Sequence, residues 1–162
     1  MKNIQFIVWL LPILFMFHDF EEIIFMKPWV TKSKYSKLST LSASALALGI
    51  AEEFVIISIV TIVAFLTGWY YLWLGLFIGF TAHLIFHCME GLVFKGYLLI
   101  TSIICLPPSC YFIVLFWQLY KPDIKQVIIF SIVGIVAMLV NLIVIHKIML
   151  TFDKWLNKYQ NN

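Results

Sequence analysis

Three observations make this chain an all-α, polytopic membrane bundle. Of its 162 residues, 63% are hydrophobic and only 12% charged, against about 25% charged in an ordinary soluble domain. The apolar residues fall into five runs, each long enough to cross a ~30 Å hydrocarbon core as a helix of roughly twenty residues. No stretch between the runs is long or polar enough to separate two domains, so residues 1–162 form a single helical domain.

The first run, about 4–26, follows Lys2 and stops at Lys27-Pro28. It superficially resembles a signal peptide but lacks a small-residue cleavage site, so it is expected to persist as the first helix. The second run, about 39–66, is interrupted only by Glu52-Glu53. The third, about 69–94, opens on Trp69, Tyr70, Tyr71 and Trp73, the composition of an interfacial aromatic belt. The fourth, about 98–119, carries Pro107-Pro108 in its middle, which should kink it or split it into half-helices; Trp117 and Tyr120 belong to its belt. The fifth, about 126–149, contains the lone polar residue Asn141, expected to make a helix-packing hydrogen bond. The tail, 150–162, alternates aromatic and polar residues and is expected at the interface. No internal repeat is visible.

The formal charge of +3 comes from eleven lysines, with no arginine, against eight acids. Lys27, Lys32, Lys34 and Lys37 follow the first run, Lys95 the third, and Lys147, Lys154 and Lys158 the fifth. By the positive-inside rule the amino terminus is outside and the carboxyl terminus cytoplasmic, in a multi-pass cell-membrane protein. This charge faces anionic lipid, since no basic stripe of soluble sequence exists to enter a nucleic-acid groove. Cys88, Cys105 and Cys110 are odd in number and all lie in apolar runs, which speaks against a disulfide framework; Cys88, beside His87, offers a thiolate ligand as a lesser option.

Six of the eight acids are instead within or beside the apolar runs. An ionisable group inside a bilayer costs roughly 2.5–3.5 kcal/mol on insertion scales and needs a partner, a shared proton or a metal. The densest concentration is His18-Asp19-Phe20-Glu21-Glu22. At about 100° per residue, Glu22 lies at about +40° and Glu21 at about −60° from His18, on one helix face, with Asp19 beside it. On the third run His83, His87 and Glu90 form a narrower stripe. Two imidazoles four residues apart can bind one metal ion. Glu52 and Glu53 diverge by about 100°, so one can face the bundle centre while the other reaches a neighbour. Depths counted from the lysines put all these groups at similar levels in three consecutive antiparallel helices.

A carboxylate–imidazole cage of this kind suits zinc or iron. Bundles build dinuclear sites from glutamates and Glu-x-x-His pairs; here the order is inverted, His18-x-x-Glu21 and His87-x-x-Glu90. Expected metal ligands are His18, Glu22, Glu53, His83, His87 and Glu90. Glu21 and Glu52 are the candidates for bridging ligand or general base, and Asp19 for a residue orienting an imidazole. Without a metal, the same groups could be protonated carboxylic acids hydrogen-bonded to the histidines in a proton pathway. His146, near the end of the fifth run, reads as a packing residue.

His18-Asp19-Phe20-Glu21-Glu22 resembles the motif that names the HXXEE family of small integral membrane proteins. The resemblance continues through Glu52-Glu53 and through His83 with His87, roughly the first hundred residues, and implies a shared intramembrane site without an assigned reaction. Intramembrane prenyl-protein proteases also carry a Glu-Glu pair and later histidines, but they want an arginine where this chain has Ile57. Alkaline ceramidase-like hydrolases share the His-x-x-x-His spacing but have seven helices.

The expected function is metal-dependent chemistry, hydrolysis with zinc or oxidation with di-iron, on a lipid or other hydrophobic substrate reaching the site from the membrane, with a kink at Pro107-Pro108 as a lateral path. Two other classes remain open. A proton-coupled or cation transporter would use the same carboxylates and would need a homo-oligomer to restore the missing repeat symmetry. An accessory subunit would pair its buried charges with a partner helix.

Overall fold

The computed structural model describes residues 2–26, 41–92 and 100–160. The lysine-rich 27–38 segment, with the helix stop expected at Pro28, and Lys95 lie outside the described residues. The described chain is helical throughout, without strands. It comprises α1 (Lys2–Ile7), α2 (Leu10–Glu21) continued by a π-helical turn over Glu22–Met26, α3 (Ala43–Thr67), α4 (Tyr71–Leu92), α5 (Ile100–Tyr120) and α6 (Ile124–Gln160). Four of these, α3 to α6, are long and apolar enough to cross a membrane, so the chain is a helical membrane protein as its composition requires.

The first run is not one uniform helix. A turn at Val8-Trp9 separates α1 from α2. Its physical cause is Pro12, whose ring nitrogen carries no hydrogen and leaves the carbonyl four residues back, that of Val8, without a helical donor. The indole Nε1 of Trp73 donates to that carbonyl at 2.9 Å. Trp73 is therefore a fully buried core residue rather than part of the aromatic belt. Tyr70 is also buried, edge-on to Phe116 and Tyr120, while Trp69 stays half exposed.

α3 starts at Ser42, whose hydroxyl accepts from the Ala45 amide at 3.2 Å. It ends at Gly68, which takes the left-handed conformation (φ 71°) and donates its amide to Ala64, an end that favours glycine because it has no Cβ. α4 is the innermost of the long helices and packs on α5 and α6. It meets α6 at Gly75 and Gly134, where the backbones come so close that a Cβ on Gly75 would overlap the carbonyl of Phe130. Small residues at such crossings drive helix association in lipid, where burial of apolar surface provides no force.

Of the kink or split expected at Pro107-Pro108 the split is corrected, and the last helix proves longer than its expected span. α5 runs unbroken through Pro107 and Pro108 rather than dividing into half-helices, and the Ser109 hydroxyl donates to the Cys105 carbonyl across this stretch at 2.8 Å. α6 does not stop near residue 149. It continues to Gln160, taking in the tail expected at the interface. The extension is anchored by Asp153, whose Oδ1 accepts from the Ser42 amide at 3.0 Å and so ties the end of α6 to the start of α3.

Candidate functional site

The site is assembled from α2 and α4. His18 is in the last turn of α2, four residues before Glu22, where the helix widens into its π turn. Such turns recur at functional sites because the extra residue re-aims side chains. His83 and His87 are one turn apart on α4. One ligand atom from each of His18, Glu22, His83 and His87 lies within 4.8 Å of all the others. Oε1 of Glu22 is 3.1 Å from Nε2 of His87, 3.6 Å from Nε2 of His18 and 4.0 Å from Nε2 of His83. The Nε2 atoms of His83 and His87 are 3.0 Å apart. His18 is fully buried and Glu22 nearly so.

The other ring nitrogen of His18 is held from α5. Nδ1 is 3.1 Å from Oγ1 of Thr101 and 3.5 Å from Oγ of Ser102. Thr101 has a single hydroxyl proton, which it donates to Oε2 of Glu21 at 2.6 Å. Its oxygen is then the acceptor toward His18, so the His18 proton sits on Nδ1 and the Nε2 lone pair faces the cluster. That lone pair and the Glu22 oxygen are two buried acceptors that make no hydrogen bond among the described residues.

Glu21, one position earlier, points elsewhere. Besides the Thr101 hydroxyl it accepts from the amides of Ile100 (3.0 Å) and Thr101 (2.7 Å). It thus caps the first turn of α5 as a carboxylate at a helix N-terminus does. Adjacent acids of one motif have different tasks: Glu22 faces the histidines and Glu21 joins two helices.

The remaining expected site residues are distributed around this core. Glu52 accepts from Nδ2 of Asn141 at 3.0 Å, the packing bond expected of that asparagine. Glu53 and Asp19 stand outside the four-residue group but, with Glu22, His83 and Asn141, form the polar part of a cavity of about 370 Å³. Asp19 Oδ1 is 4.0 Å from His18 Nε2, so Thr101, not Asp19, holds the Nδ1 side of that ring. Glu90 is in the last turn of α4; its side chain lies outside the described residues. Cys88 is half-buried and His146 half-buried, and neither belongs to the cluster. The cavity is bounded by α2, α3, α4 and α6. No residue of α5 lines it, so Pro107-Pro108 opens no path to it.

Thr101 and Ser102 were not legible as site residues. They read as small polar residues near the start of an apolar run, and nothing in their spacing points at His18.

Fold and site together define a polytopic helical membrane protein with a buried histidine–glutamate cluster. Residues 9–113, more than half of the chain, match the family described as "protein of unknown function with HXXEE motif", and the chain belongs to that family. No curated protein and no solved structure matches it.

Proposed function

We propose that His18, His83, His87 and Glu22 bind one divalent metal ion, with zinc the best fit, and that the protein is a metal-dependent hydrolase acting on a hydrophobic substrate from the bilayer. The observation that carries this reading is the pair of buried acceptors, the His18 Nε2 lone pair and Glu22 Oε1, facing each other at 3.6 Å. Two acceptors at that separation are too far apart to share a good hydrogen bond and repel unless a cation lies between them. The spacing supports it. Ligands 2.0–2.1 Å from a tetrahedral zinc are about 3.3 Å from one another, within the 3.0–4.0 Å measured for four of the pairs here.

A bound zinc would polarise a carbonyl and acidify water. Three imidazoles suffice to hold the ion, as in hydrolytic zinc sites. Glu22, which also lines the cavity, would be the fourth protein ligand, on the side from which water would reach the ion. Glu53, across the same cavity and hydrogen-bonded to Asn141, is the carboxylate that would accept the water proton. A single ion, rather than a bridged di-iron pair, follows from Glu21 and Glu52 being engaged with α5 and Asn141; this favours hydrolysis over oxidation.

Elemental analysis of the purified protein beside His87→Ala tests the reading. One equivalent of zinc in the wild type, lost in the variant, is expected. Two folded, metal-free proteins would overturn it in favour of a carboxylate–imidazole proton network.

A further inference from the structure

The cavity beside the cluster has a polar belt in its interior and an apolar arm on either side of it. The register of α3 against α6 makes this visible. Ser42 meets Asp153, Gly49 approaches Ile145 and Met149, and Glu52 bonds Asn141, so the two helices run antiparallel. Along α3, the lining residue Glu53 comes seven residues after Leu46 and four before Ile57. Along α6, Asn141 comes four residues after Ala137 and eight before Met149. At about 1.5 Å per residue, the arm toward Leu46 and Met149 runs about 10–12 Å; on the other side Ile57 and Ala137 stand about 6 Å from the belt, and Leu76 on α4, seven residues before His83, extends that arm to about 10 Å.

The first arm is walled by Leu46, Gly49, Ile50, Ile145 and Met149, and the second by Ile57, Leu76, Phe80, Ala137 and Met138. Ile56 and Leu142 line the cavity and are also 40% and 45% exposed on the outer face of the bundle. The cavity therefore opens toward lipid between α3 and α6.

We infer that the substrate is an acyl ester or amide whose carbonyl is internal to the chain, with an apolar arm on each side of the scissile bond, entering sideways between α3 and α6. A molecule with a polar head at its end would leave one arm unfilled and its head against apolar walls. A volume of about 370 Å³ is at the small end of ligand cavities and suits one chain rather than a two-chain phospholipid. Asn141 lines the belt with Nδ2 bonded to Glu52, and its side chain also hydrogen-bonds Glu53, so it positions both carboxylates at the belt. The inference rests on the hydrolase reading for its chemistry. Water oxygen bonds the carbonyl carbon, the bond to the leaving oxygen or nitrogen breaks, and the water proton passes through Glu53 to the leaving group, giving a carboxylic acid and an alcohol or amine.

Dialkyl ketones test the inference without turnover, since they place a carbonyl between two alkyl arms and contain no hydrolysable bond. Binding of a labelled ketone series is measured in nanodiscs by equilibrium dialysis, with empty nanodiscs subtracted and metal content determined on the same preparations. A ketone with its carbonyl inside the chain should bind at least about fivefold more tightly than the isomer with the carbonyl at the chain end, the discrimination expected when a chain overfills a packed site. Leu46→Trp and Ala137→Leu should each weaken binding of long-armed internal ketones, by filling one arm or the other. Both positions are incompletely buried, and each variant should retain its metal. Zinc-loaded protein indifferent to carbonyl position, or binding no ketone, would overturn the inference and leave the metal site standing. Position-dependent binding by metal-free protein would support the cavity assignment and defeat the hydrolase reading instead.

Discussion

Thr101 places its hydroxyl oxygen 3.1 Å from Nδ1 of His18, and this contact from a third helix decides which nitrogen of that imidazole faces the cluster. The Thr101 proton is directed to Glu21, so the ring must donate from Nδ1 and present Nε2 as a lone pair. Partners of this kind set the tautomer and orientation of a metal-binding imidazole, and their loss typically lowers metal affinity about 10–100-fold. Thr101→Val, close in shape but without the hydroxyl, should show that loss in zinc titrations with competing chelator. Thr101→Ser should restore affinity. Equal affinities in all three proteins would remove Thr101 from the site.

Glu21 and Glu22 should separate cleanly by experiment. Glu21→Gln weakens three hydrogen bonds at the start of α5, and bonds to a charged acceptor contribute about 1.5–3 kcal/mol each before losses are shared among them. Its Tm should fall while zinc stoichiometry stays at one. Glu22→Gln should do the reverse, weakening zinc binding with little loss of stability in the metal-free protein. A Glu21→Gln protein that keeps its Tm but loses zinc would exchange the two roles.

That division marks where sequence reasoning stops. The pairing of His83 with His87 is fixed by the helical repeat, because residues four apart lie on one face whatever surrounds them. Their approach to His18 and Glu22 follows from similar depths in antiparallel helices. Which of two adjacent glutamates meets the histidines depends instead on where α5 begins, a tertiary fact. Pro107-Pro108 favours a kink or a split, yet α5 stays one helix through them; Pro12 coincides with the real interruption. The unread signal there was a proline whose freed carbonyl finds a tryptophan far along the chain.

Zinc should stabilise the protein by linkage. A ligand that binds only the folded state at a hundred times its Kd contributes about 2.7 kcal/mol, so adding zinc to chelator-treated protein should raise its Tm. His87→Ala should show little response. Protons compete with metal for imidazole and carboxylate, so the zinc-dependent rise should shrink as pH is lowered. A rise that persists unchanged in His87→Ala would place the stabilising ion elsewhere.

The length of α6 bears on orientation. Its 37 residues extend about 55 Å at 1.5 Å per residue, well beyond a ~30 Å hydrocarbon core, so its last turns project from the bilayer. From the lysine distribution, the positive-inside rule predicts the cytoplasmic side for them. A lone cysteine replacing Lys158, in a chain with Cys88, Cys105 and Cys110 changed to alanine, should react with a membrane-impermeant maleimide only after cells are opened. Labelling in intact cells would reverse the orientation.

Trp73 and Pro12 should show strong coupling in a double-mutant cycle. In the wild type the Val8 carbonyl has lost its helical donor to Pro12 and is served by the Trp73 indole at 2.9 Å. Trp73→Phe removes that donor, leaving a buried carbonyl unpaired at a cost of about 1–3 kcal/mol, together with the packing lost from the smaller ring. Pro12→Ala returns a backbone amide four residues beyond Val8, which can close the helical bond. The two changes act on one acceptor and are not additive. Trp73→Phe should therefore lower Tm substantially in the wild-type background and much less in Pro12→Ala. Equal losses in both backgrounds would mean that Trp73 acts by filling space alone, and that the turn at Val8-Trp9 has another cause.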